Sequence, residues 1–136
     1  MRAANFSGLM LAVAVLAAPA LANAEGVLDG KVYDVMVTMP NGRQEENTYS
    51  FENGNLKSAG CAINGYPAAP YTAKTSGDVT TVTAVLKNSR GDFRTVDATI
   101  VGNRMSGTVN ISKDGETSKW TFAPLEAAGT AAPKKP

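Results

Sequence analysis

The chain contains no histidine, and that absence removes more chemistry than any other feature of the sequence. Without an imidazole there is no Ser-His-Asp triad, no side chain that titrates near neutrality in its unperturbed state, and none of the usual zinc sites. Cysteine is nearly absent as well. Cys61 stands alone, so no disulfide closes within the chain, and the fold must rest on burial and strand pairing. Charge of either sign is not in excess, with 13 Lys and Arg against 12 Asp and Glu, which leaves no field to recruit nucleic acid or an anionic membrane. Long apolar runs are also missing. The longest, Leu9 to Ala18, falls well short of the roughly 20 residues that span a bilayer as a helix.

That short run has another reading. Arg2, the apolar stretch and Ala22-Asn23-Ala24 form the pattern of a secretory signal peptide, with cleavage expected after Ala24. Removal of residues 1–24 takes away Arg2 and leaves equal numbers of acidic and basic side chains. The Ala-rich signal is bacterial in character and points to the periplasm or the medium. Cys61 lies far from this junction, which argues against a lipid anchor on the cysteine that follows a signal. Residues 126–136 combine Ala, Gly, Thr and Pro with Lys134 and Lys135, a composition unable to bury a core, and read as a disordered tail. Residues 25–125 are left as a single domain.

Within that domain Asn and Gly recur in turn signals, at Asn41-Gly42, Asn53-Gly54, Gly77, Gly91, Gly102 and Asp114-Gly115. Both residue types accept the positive φ that tight hairpins demand. Between them the apolar residues alternate. Tyr33, Val35 and Val37 share a face, as do Tyr49 and Phe51; Val82, Ala84 and Leu86; Val96, Ala98 and Ile100; Met105, Gly107, Val109 and Ile111; and Trp120 and Phe122. Period-two alternation of this kind predicts six half-buried strands. Two further strands are expected at Leu56 to Ala62 and Tyr71 to Lys74, separated by a loop from Ile63 to Pro70. No helical periodicity follows the signal. Eight consecutive strands with short connections predict an all-β fold, an eight-stranded antiparallel up-and-down barrel, with a two-sheet β-sandwich as the alternative.

Residues 28–125 resemble the lipocalin and avidin group of small exported calycin-type barrels in strand number, in turn spacing and in the opening Leu28-Asp29-Gly30-Lys31-Val32-Tyr33. That group typically carries Gly-x-Trp in its first strand. Here Tyr33 follows Gly30 by three residues, and the single Trp is at position 120. The resemblance implies a protein that binds something inside the barrel or at its rim, and no binding residue carries over from it.

Little in the chain supports catalysis. Glu45 and Glu46 are neighbours on a strand and point to opposite faces, so they form no paired-carboxylate site. Asp114-Gly115 lacks the spaced oxygens of a calcium loop, and the sequon Asn110-Ile111-Ser112 falls mid-strand. The chain is therefore read as a non-enzyme with neither a metal site nor a cofactor. Cys61 is the one intrinsically reactive side chain. It is expected to be buried and inert, with a reactive thiol near the 63–70 loop as the alternative.

Topology supplies a more useful grouping. In a meander the end of every odd strand and the start of every even strand share one end of the barrel. Following the inward parity there gathers Glu45 and Asn47 above Tyr49, Arg94, Ser118 above Trp120, and Cys61 beside the loop bearing Tyr66 and Tyr71. This mouth is expected to be the open one, the other being closed by the Asn53-Gly54, Gly77 and Gly102 turns. The small residues Ala59, Ala73, Ala84, Ala98 and Gly107 are expected to leave a small interior cavity. The function expected is binding of a small apolar or amphipathic ligand in a barrel pocket, through Glu45, Asn47, Tyr49, Tyr66, Tyr71, Arg94 and Trp120. The alternative is a periplasmic protein-interaction module, similar to small barrels that inhibit lysozymes, acting through the 63–70 loop.

Overall fold

The computed structural model describes residues 26–125; the expected signal peptide and the expected tail lie outside the described residues. The chain forms β1 (Val32–Thr38), β2 (Gln44–Glu52), β3 (Asn55–Ser58), a short helix α1 (Ala59–Ile63), β4 (Ala69–Ser76), β5 (Val79–Lys87), β6 (Phe93–Val101), β7 (Arg104–Lys113) and β8 (Glu116–Pro124). Each strand pairs antiparallel with the next, and β8 returns to β1, placing Phe122 opposite Val37 and Pro124 opposite Val35. This is a closed eight-stranded up-and-down barrel; the sandwich does not form. Among the described residues no helix is long and apolar enough to cross a membrane.

Alternation sets the inside. On β5, Val82, Ala84 and Leu86 are buried while Thr81, Thr83 and Lys87 are exposed. Two of the hairpins turn through consecutive residues at positive φ, Asn53 and Gly54 at +55° and +78°, and Asp114 and Gly115 at +53° and +81°. Paired positive φ values match the right-handed twist of the flanking strands.

Aromatic rings occupy much of the interior. Tyr49 and Phe122 lie 4.9 Å apart between centroids, Phe51 and Tyr71 4.8 Å, and Tyr33 and Phe51 6.0 Å. Tyr49, Phe51 and Met105 are each 1% exposed, and Leu56 and Leu86 are fully buried. Gly107 lets β6 and β7 approach closely. Ala98 faces Gly107, which faces Phe122, and a Cβ on Gly107 would run into the Asp97 carbonyl oxygen and the Ala98 Cα. Ala59 is not inward at all; it sits exposed in α1.

The strand expected through Ala62 stops at Ser58. Ala59-Gly60-Cys61-Ala62 offers no large side chains to bury on alternate sides, and the wholly buried Ser58 accepts the Cys61 N–H at 3.2 Å, capping a helical turn instead. The shortened β3 meets β4 through only two residue pairs, Asn55 with Pro70 and Leu56 with Ala69. Residues 64–68 therefore run back along the barrel wall. As a result β4 starts at Ala69, earlier than expected, and Tyr71 lies level with the Asn53-Gly54 turn, its N–H donating to the Gly54 carbonyl at 3.2 Å.

Candidate functional site

The two ends of the barrel differ in construction. At the end bearing the Asn53-Gly54 turn, residues 26–31 fold across the opening and bury Leu28. The Asp29 carboxylate accepts the Gly54 N–H at 3.0 and 3.1 Å and the Tyr71 hydroxyl at 3.0 Å, while that hydroxyl accepts the Leu28 N–H at 2.8 Å. Gly30 donates to the Phe51 carbonyl at 2.7 Å. Burial raises the Tyr71 phenol above its ordinary pKa, so it remains a neutral donor and acceptor. Tyr71 thus belongs to the plugged end, not to the open mouth where the sequence reading placed it. The start of β4 at Ala69 accounts for the difference.

The opposite end carries the β1–β2, β5–β6 and β7–β8 connections and α1. Strand register sets Leu86, Arg94, Ile111 and Ser118 side by side in one layer, with Trp120 beside Val109 in the next layer down. Asn47 joins β2 to α1: its Nδ2 donates to Ser58 Oγ at 2.9 Å and its Oδ1 accepts the Gly60 N–H at 2.9 Å. Both ends of this amide are engaged, and Asn47 acts chiefly as a fastener. Tyr49 lies beneath. Burial first, and then neighbouring Cys61, push its phenol well above the ordinary pKa against the opposing pull of Asn47 and Arg94.

Arg94 is the centre of this end. Its Nη1 donates to Cys61 Sγ at 3.3 Å, and its guanidinium carbon stands 4.2 Å from the centroid of the Tyr66 ring. Tyr66 is buried beneath it rather than protruding from the loop. Arg94 Nε is sealed from solvent and has no acceptor among the described residues. Among the described residues no carboxylate stands within ion-pair distance of it. The ion pairs at this end join Arg43 to Glu45 at 3.4 Å and Arg90 to Asp92 at 3.2 Å. Glu45 is consequently an exposed group at the lip.

A cavity of about 410 Å³ opens here, walled by Val37, Met39, Cys61 and Trp120 on its apolar side and by Asn47, Ser58, Asn64 and Arg94 on its polar side, with Arg43, Glu45 and Glu46 also lining it. A second, of about 530 Å³, shares Arg94 and Trp120 and extends past Ile111, Lys113 and Ser118. Glu45, Asn47, Arg94, Trp120 and Cys61 are therefore brought together as the topology predicted, with Tyr49 and Tyr66 as buried support. The sequence reading missed Ser58, Val37 and Met39. A serine heading a run of small residues was the available signal for the first. The parity of β1 was the signal for Val37. Among the described residues no group of three or more His, Cys, Asp or Glu stands together to hold a metal ion.

Fold and site define a small closed antiparallel barrel, plugged at one end and open at the other through a mouth of mixed character, in which Val37, Met39 and Trp120 stand with the inward Arg94 and a charged lip. Comparison with protein-family models, with curated proteins and with solved structures finds no match for the chain.

Proposed function

We propose that this is an exported, non-catalytic binding protein that holds a small amphipathic molecule at the mouth bearing Arg94 and Trp120, in the manner of the lipocalin-like barrels its architecture resembles. The observation that carries the reading is the mouth cavity of about 410 Å³, which Val37, Met39 and Trp120 line together with Arg94. Ligand sites are concave, mostly apolar and oriented by a few polar groups, at roughly 300–1,000 Å³. Because the rings of Tyr49, Phe51 and Phe122 occupy the interior, the ligand lies at the rim and does not descend the barrel axis. Export is supported by the pattern of residues 1–24, and the non-catalytic assignment by the lack of any histidine to act as a base.

Native mass spectrometry of the protein purified from its own host tests this. An adduct of a few hundred daltons that leaves on mild unfolding is the expected result; a bare mass, together with no uptake of any added amphiphile, counts against it.

One observation favours a second reading, a protein-interaction module. Ile63 at the end of α1 is 85% exposed and borders an outer groove that also carries Asp34, Glu45 and Glu46. An apolar knob beside three carboxylates suits a basic protein partner. Capture of such a partner by the wild type and its loss in Ile63→Asp would favour this reading over the first.

A further inference from the structure

We infer that the polar end of the ligand is an oxyanion, a carboxylate or a sulfate, and that Arg94 is the residue that holds it; the inference rests on the mouth being the binding site. A guanidinium cannot discharge itself by losing a proton at any accessible pH. Out of water it is stable only beside an anion or a full set of acceptors. Arg94 has neither. Its Nη1 meets a thiol, a weak acceptor, at 3.3 Å, one face lies on the Tyr66 ring at 4.2 Å, and Nε has no acceptor.

The contrast with the other arginines of this rim is informative. Arg43 and Arg90, whose side chains are 70% and 69% exposed, each pair with an acid two residues along the chain, Glu45 and Asp92. The inward, half-buried Arg94, which would gain most from a counter-charge, receives none. Of the acids around the mouth, Glu45 pairs with Arg43 and Asp92 with Asn88, Arg90 and the Asp114 N–H, while Glu46, Asp114 and Glu116 line the two cavities without forming an ion pair with Arg94 among the described residues. Glu46 is exposed and reaches the edge of the first cavity as well as the outer groove. A bound oxyanion supplies the missing charge, and guanidinium with carboxylate is the strongest such match because two parallel hydrogen bonds can form. An apolar body attached to that anion would lie along Trp120, Val37 and Met39, which line the same cavity.

Trp120 is the only tryptophan of the chain, so its emission reports on this site alone. The test titrates the protein with decanoate, decyl sulfate and decanol below their micellar concentrations, following that emission and confirming affinities by calorimetry. The two anions are expected to bind the wild type at least about tenfold more tightly than the alcohol, as charge-assisted hydrogen bonding implies, and to weaken with added salt. Arg94→Gln, verified as folded by circular dichroism, should bring both anions down to the alcohol's affinity and leave the alcohol unchanged. Equal affinity of decanoate and decanol for the wild type, a comparison that needs no variant to fold, overturns the anion assignment but leaves the mouth as a binding site. Tighter anion binding that survives in Arg94→Gln overturns the role of Arg94. No response to any of the three overturns the mouth reading and this inference with it.

Discussion

Arg94 Nε is the one buried side-chain nitrogen or oxygen among the described residues that lacks a hydrogen-bond partner, in a barrel where even the fully buried Ser58 is satisfied. An orphaned buried donor costs roughly 1–3 kcal/mol, whereas the cation–π contact that offsets it is worth about 0.5–2 kcal/mol. Removing the guanidinium while keeping an apolar side chain should therefore relieve the fold. Arg94→Leu is expected to raise unfolding stability by about 1 kcal/mol in urea titrations, against the usual direction of point substitutions. A loss of stability of similar size would mean that the thiol and the ring satisfy Arg94 fully. A residue that weakens its own fold is the kind retained for what it binds.

Among the elements, the joint between β3 and β4 is the weakest. Two residue pairs hold it, where nine link β5 to β6 and nine link β6 to β7. Amide hydrogen exchange should accordingly be fastest in β3, α1 and residues 64–68 and slowest in β5 to β7, because local opening follows the density of ladder bonds and buried contacts. The β5–β6 and β7–β8 hairpins are tied more firmly, through Asp92. The Asn88 side chain, the Asp114 N–H and then Arg90 hold the Asp92 carboxyl below its ordinary value of 3.8. A carboxyl depressed on folding contributes stability that is complete above its unfolded pKa and is lost as pH falls through its folded one. The wild type should lose Tm as pH drops below about 4, and Asp92→Asn, less stable at neutral pH, should show a shallower fall over that range.

The same comparison of elements shows where the sequence speaks. Six strands were legible because large apolar side chains such as Val82, Leu86 and Val96 alternate with polar ones, and only one register buries them all. From Ser58 to Ala62 the side chains are small, both faces look alike, and the local contest between strand and capped turn was decided by one serine hydroxyl. That single misreading moved Tyr71 to the wrong end of the barrel. Asn47, Arg94 and Trp120 were placed correctly because parity and strand direction alone determine their end.

Across the whole molecule, the hydrogen-bonded plug and the proposed binding mouth sit at opposite ends. The plugged end is a closed set of hydrogen bonds around Asp29 and Tyr71. Tyr71→Phe removes both the acceptor for the Leu28 N–H and the donor to Asp29, and should cost roughly 1–3 kcal/mol. Thermal unfolding would show this loss, while the response of Trp120 to decanoate should be unchanged, since the two sites share no contact. A coupled change in both would mean that the plug and the mouth move together.

The wall at α1 and residues 64–68 also bears on how such a barrel can change. No ladder runs through that stretch, so residues added or removed there alter the depth of the mouth without shifting the register of any strand, and the entropy of a longer loop grows only slowly with its length. Evolution or a protein engineer could recut the rim at this one place, widening or narrowing the proposed mouth and leaving the rest of the scaffold as it stands.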